Sequence, residues 1–260
     1  MIHNTAIVDS KAILHNKVSI GPYSVIGPDV EIEENTEIQS HVNITGKTKI
    51  GANNKIYPFA SIGTDPQDMK YKGEATNLII GNNNKIREYA TINKGTSQGG
   101  GITKVGDNNL IMIGAHIAHD CIIGNSIVIA NNAAIAGHAI IEDDVILGGN
   151  CGVHQFTRIG KMAMVGGMTG VSRDIIPYAL SIGNRNFLNG INIVGLRRKR
   201  VPNKDIMLLT EAYKLIFQTN NIANNLKILE DKYKENELVN DVINFITKDK
   251  KRPICTPDLN

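Results

Sequence analysis

The stretch Ile113-Gly114-Ala115-His116-Ile117-Ala118-His119-Asp120-Cys121 decides how the chain is read, because it sets two histidines and an aspartate inside a six-residue beat of apolar residues. The beat runs without a register break through Ile111, Ile117, Ile123, Ile129, Ile135, Ile141, Leu147, Val153, Ile159, Val165 and Val171. Two positions before these stand small or β-branched residues such as Ala115, Ile127, Ala133 and Ala139. A period of six is neither the roughly 3.6 of an amphipathic helix nor the 2 of an alternating strand. It fits a solenoid of short strands and corners, with three beats closing one triangular coil of eighteen residues.

That coil is a ruler. With parallel strands stacking roughly 4.8 Å apart, residues eighteen apart become vertical neighbours. Gly137 and then Gln155 stand above His119, His138 stands above Asp120, and His154 tops the column of Ala118 and Ala136. Above His116 come Ala134 and Gly152, so a groove is expected beside the histidines, with His119 facing outward.

Working outward, the same beat begins at Ile2 and continues to Ile62, so no N-terminal binding domain is expected. Asn35, Asn53, Asn83, Asn108, Asn132 and Asn150 each fall three residues past a beat, where asparagine tolerates a left-handed corner. The beat lapses over about 64–77, around Asp68 and Lys70, and again over about 94–103, around Gly99-Gly100-Gly101. Two loops are thus thrown out of the column, the second read as a flexible flap. No GK[ST] or helix start follows its glycines, so it is no phosphate cradle. Beyond Val171 the pattern decays through Pro177 and Ile182. From Pro202 the period becomes helical, with Asn203 as an expected N-cap and further amphipathic stretches at about 221–233 and 237–247. The expected division is a repeat column over 1–190 and a helical domain over 191–260, capping the last open rung.

The composition agrees with an ordered column. Hydrophobic residues make up 42% with no Trp and five Phe, so Ile and Val must fill the core. Three cysteines give no disulfide framework, and two of them, Cys121 and Cys151, fall on inward positions; a reducing cytoplasm is expected. No signal-like leader or spanning apolar run is present, so no membrane insertion is expected. A formal charge of +3 gives no argument for nucleic acid, although the run Arg197-Arg198-Lys199-Arg200 suits an acidic partner.

With the beat, the His-Ile-Ala-His-Asp-Cys segment, Ala136-Gly137-His138, Val153-His154-Gln155-Phe156, the loop Gln67-Asp68-Met69-Lys70 and the helical tail in hand, the chain resembles the hexapeptide-repeat acyltransferases. Within them it resembles the branch that moves acyl chains from acyl carrier protein to UDP-N-acetylglucosamine at the start of lipid A synthesis. The resemblance implies a left-handed parallel β-helix with a C-terminal α-helical domain, a homotrimer, and active sites in clefts between subunits. It implies no cofactor and no metal. His119 matches the general base, Asp120 its orienting neighbour and Gly137 the oxyanion donor. Asp68, Lys70, His116, His138, His154 and Gln155 match positions around the sugar, pyrophosphate and acyl donor. Near the tail Asn192 and Arg198 match, whereas Val194 replaces an acid and Lys199 an arginine, losing a bidentate fork. Gly167 matches the floor of the acyl groove, and the ruler places Gly149 beneath it.

Other readings of the same fold differ at named features. Trimeric zinc hydratases hold metal on histidines from two subunits; the ruler instead surrounds His119 with Asp120, Gly137 and Gln155. The pathway's later N-acyltransferase carries a domain before its repeats. An N-acyl reaction on a 3-amino sugar nucleotide stays open, as does an acetyl-CoA-dependent sugar acetyltransferase on the fold alone. A noncatalytic β-helix would have no use for an offset histidine cluster flanked by loops.

Overall fold

A computed structural model describes residues 1–219, 221–233, 235–249 and 251–258; Leu259 and Asn260, which end the expected helical domain, lie outside the described residues. Among the described residues short strands, mostly two residues long and parallel except for the last, form three sheets of nine, eight and ten strands. Up to Gly170–Val171 successive strands go to successive sheets, so each strand pairs with the third one before or after it. The eighteen-residue ruler is the observed register: His116 pairs with Ala134, Ala134 with Gly152, and Gly152 with Gly170. Each beat residue from Ile20 to Val171 points into the column and is buried, whereas Ile2, on the open first rung, is half exposed.

The corners explain why six residues suffice for a strand and a turn. Asn35, Asn53, Asn83, Asn108, Asn132 and Asn150 all have φ between 54° and 59°, as the corner reading expected. Asp120, His138 and Phe156 adopt the same left-handed conformation at φ 59°, 62° and 61°. Because nearly every corner does so, that conformation at Asp120 belongs to the coil and is no sign of catalytic strain.

Both loops leave the column without shifting it. Asn54 to Asn84 spans 30 residues and Asn84 to Asn109 spans 25, yet the Asn54 and Asn84 side-chain oxygens still accept the N–H of the residue one rung above. The flap expectation for residues 94–103 is corrected by three ties. Thr96 binds Asp120, Ser97 Oγ reaches Glu74 Oε1 at 3.2 Å, and Lys94 Nζ meets Asp65 at 3.0 Å. A short 3-10 turn at Ser97–Gly99 is capped by Thr96.

At the upper end the column persists further than the fading beat suggested. Strand Ala179–Ile182 still pairs parallel with Met164 and Val165, and Phe187–Ile191 then pairs antiparallel with it, covering the open edge. Four helices follow among the described residues, one more than the sequence indicated: α1 Ile193–Arg198, α2 Asn203–Ile216, α3 Ile222–Lys232 and α4 Glu237–Lys248. Asn203 is the first helical residue of α2, with Pro202 at the cap, because proline's fixed φ suits a helix entrance. Buried Arg158 joins column to helices: its Nε meets Asp174 at 2.8 Å, while Nη1 and Nη2 donate to the carbonyls of Phe245 and Asp249 at 3.1 and 2.8 Å. No described helix is long and apolar enough to cross a membrane.

Candidate active site

His119, Asp120 and Gly137 meet at one corner of the coil. His119 Nδ1 lies 2.8 Å from Asp120 Oδ2. A carboxylate only accepts, so Nδ1 carries the proton and Nε2 keeps its lone pair. Asp120 is itself fixed, since Thr96 donates through its N–H to Oδ1 and through its hydroxyl to Oδ2 at 2.8 and 2.7 Å. The Asp120 N–H donates to Thr103 Oγ1 at 2.8 Å. His119 projects outward from the coil as expected, but it is only 5% exposed, because the loop at 94–103 folds over its partner.

Gly137 sits one rung above the ring. A Cβ there would fall 2.5 Å from His119 Cε1 and 2.8 Å from Nε2, so the imidazole packs against bare backbone. The Gly137 carbonyl accepts from Phe156 N–H at 3.1 Å, while its own N–H has no acceptor among the described residues.

A cavity of about 1080 Å³ opens beside this corner, lined along one sheet by His116, Ala134, Gly152 and Gly170 and at the corner by His119, Gly137, His154 and Gln155. The small residues above His116 thus make the groove that their stacking foretold. His116 Nδ1 lies 2.7 Å from Thr91 Oγ1, and burial first, then neighbouring His119, lowers its pKa from the usual histidine value. His138 stands on the corner, stacked on Phe156 at 4.3 Å and edge-on to His119 at 5.1 Å. Burial lowers its pKa, against the opposing pull of Asp120 and Asp68. In the first loop, Asp68 Oδ1 accepts the Lys70 N–H at 2.9 Å. Gln67 lines the cavity directly.

One further imidazole, not two, joins His119 in a group of possible ligands: His119, Asp120 and His138 bring one ligand atom each within 4.8 Å, a grouping able to hold a metal ion. Asp120 is already bound by Thr96 and His119, which suits an orienting carboxylate. Asn192, Arg198, Lys199 and Gly167 do not line the cavity of this chain, and the expectation of clefts between subunits does not require them to. Asn192 caps α1 through Gly195 N–H at 3.0 Å and donates to Met162 O at 2.9 Å; Lys199 pairs with Asp144 at 2.5 Å; Arg198 and Gly167 are exposed.

Thr91, Thr96 and Thr103 were missed, as were Arg173, Arg185 and the tail residues Thr256 and Pro257 of the cavity wall. The ruler reaches Thr91 only once the loop length is known, and Thr96, Arg185, Thr256 and Pro257 stand off the beat; Thr103, two before Val105, and Arg173, eighteen past Gln155, were within its reach. Cysteine makes a poor nucleophile here: all three are buried, and burial raises the Cys121 thiol to about 12 and those of Cys151 and Cys255 to about 11.

Comparisons with known proteins bear on this geometry. Residues 174–255 match a family model described as UDP-N-acetylglucosamine O-acyltransferase, domain 2, and residues 11–46 and 102–137 match the bacterial transferase hexapeptide. The chain is 43% identical over 98% of its length, and 94% of the relative's, to an acyl-[acyl-carrier-protein]–UDP-N-acetylglucosamine O-acyltransferase of Rhizobium johnstonii. Among solved structures, UDP-N-acetylglucosamine acyltransferase of Francisella novicida superposes with a TM-score of 0.96 at 39% identity, covering 100% of this chain and 95% of that one. The UDP-N-acetylglucosamine O-acyltransferase of Moraxella catarrhalis gives 0.94 at 43% identity, covering 97% and 98%.

Proposed function

The chain belongs to the acyl-[acyl-carrier-protein]–UDP-N-acetylglucosamine O-acyltransferase family, and from that premise we propose how its residues carry the reaction. It is an acyltransferase, moving an acyl chain from acyl carrier protein to UDP-N-acetylglucosamine. The acceptor is the sugar 3-hydroxyl and the donor a 3-hydroxyacyl thioester, which makes this the opening step of lipid A synthesis.

One observation carries the assignment of the base: Asp120 holds the His119 Nδ1 proton, so the Nε2 lone pair is left at a cavity-lining position. Nε2 removes the hydroxyl proton as the oxygen attacks the thioester carbonyl. The tetrahedral oxyanion takes the unengaged Gly137 N–H. Collapse breaks the carbon–sulfur bond, and the protonated His119 returns its proton to the leaving thiolate. A thioester is already activated, so no cofactor or metal is assigned to the step.

The finer architecture follows the same reading: the coil winds left-handed, three chains assemble, and each active site lies in a cleft between two of them. A cleft of that kind accounts for Asn192, Arg198, Lys199 and Gly167, which stand away from the cavity of their own chain; a neighbouring subunit's cavity is where they serve nucleoside and acyl chain. The enzyme works in the cytoplasm. An assay with carrier-bound 3-hydroxyacyl donors, offered UDP-N-acetylglucosamine and its 3-amino analogue, tests the acceptor. Ester formation on the 3-hydroxyl is expected; strong preference for the amine would overturn it. Stoichiometric zinc in chelator-free protein, lost together with activity on metal removal, would overturn the metal-free mechanism.

A further inference from the structure

The tail returns to the column after α4. Asp174 N–H donates to Pro253 O at 3.0 Å, Cys255 N–H to Asp174 O at 2.7 Å, and Leu188 N–H to Thr256 O at 2.9 Å, so the segment becomes a wall of the cavity. At its head Arg252 donates through Nη1 to Ser172 O at 3.1 Å and sets Nη2 2.8 Å from His154 Nδ1.

A guanidinium has donors only, so Nδ1 of His154 must present its lone pair. The Gln155 carbonyl, 3.3 Å from the same nitrogen, asks for the opposite tautomer. The shorter, charge-assisted contact prevails. With Nδ1 bare, the ring proton sits on Nε2, and further protonation would set N–H against N–H.

We propose that Arg252 is a positioning residue: it holds His154 as the neutral Nε2–H tautomer, whose N–H donates to an acceptor oxygen of a substrate in the cavity. This rests on the cavity being the acyltransfer site. His119 and His154 then carry opposite tautomers, one offering a lone pair and the other a proton.

The tautomer is read by nitrogen-15 NMR of histidine-labelled protein without substrate, with the His154 signals assigned by their loss in His154→Gln. The wild type is expected to show the proton on Nε2. Arg252→Met is expected to populate both tautomers and raise the KM of one substrate, not both, about five- to tenfold, with kcat changed less than about twofold. Arg252→Lys keeps a donor and is expected to restore both readouts. A wild-type proton on Nδ1, an unchanged tautomer in Arg252→Met, or equal KM increases for both substrates would overturn the proposal. Should Arg252→Met fail to fold, the wild-type and Arg252→Lys spectra still decide it. Because the spectrum needs no turnover, its failure is distinct from a wild type that transfers no acyl chain.

Discussion

Thr96 binds both carboxylate oxygens of Asp120, its N–H at 2.8 Å and its hydroxyl at 2.7 Å, from 24 residues away in the sequence. The carboxylate bonded to His119 is therefore held by an extruded loop as well as by the coil.

His119→Ala should lower kcat by at least about 10²-fold, the usual scale for loss of a general base. Thr96→Val keeps one of the two bonds to Asp120 and should cost about tenfold or less. Steady-state kinetics beside thermal unfolding checks this; near-wild-type turnover in His119→Ala would remove it as the base.

Gly137→Ala places a methyl where the His119 ring now lies, 2.5 Å from Cε1. The ring must turn, breaking its line with Asp120, so kcat should fall at least about tenfold while KM changes little. A crystal structure of the variant with the ring unmoved and activity intact would refute the packing argument.

At Gly167 an added Cβ would meet only the Gly149 carbonyl at 3.3 Å, so a side chain fits with a slight shift of the chain. Gly167→Met is expected to depress use of a long donor of the hydroxymyristoyl kind while sparing a ten-carbon one, since each buried methylene is worth about 0.8 kcal/mol. Equal losses with both donors in a folded variant would return this glycine to a purely backbone role.

Arg197 in the last turn of α1 and Arg200 just beyond it are exposed, whereas Lys199 is paired with Asp144. Reversing both arginines to Glu should raise the KM for the carrier-bound donor more than that for the UDP-sugar, and the wild-type interaction should weaken with salt. Equal effects on the two substrates would place the run at the nucleotide instead.

Burial lowers the pKa of His116 and His138. The unfolded chain, with histidines near 6.5, takes up protons first as pH falls. Their contribution to stability is therefore complete above about 6.5 and is lost as pH falls through the window between that value and their lowered folded values. The double variant His116→Gln, His138→Asn should show a shallower fall in Tm from about pH 7 downward. A steeper fall would mean that the two imidazoles gain protons in the fold.

The column was legible because one physical requirement repeats: an apolar residue every sixth position must reach the axis, and Ile117, Ile135 and Val153 do. The same arithmetic set Gly137 over His119 and walled the groove with Ala134 and Gly152. It failed wherever the chain leaves the beat. Thr96 reaches Asp120 from an extruded loop, and Arg252 reaches His154 from 98 residues further on, so no spacing encodes either contact. The small cap α1 was hidden because six residues are too few to show a helical period.

A stack of similar rungs, each touching only its neighbours, has no inherent reason to melt all at once. Arg158 supplies one. Its guanidinium is shared among a carboxylate that follows the coil and two carbonyls of the helical cap, so peeling the helices away leaves the Asp174 pair but strips two charge-assisted hydrogen bonds, each worth on the order of 1.5–3 kcal/mol. Opening at that end must break these contacts together, which ties the upper rungs to the helices.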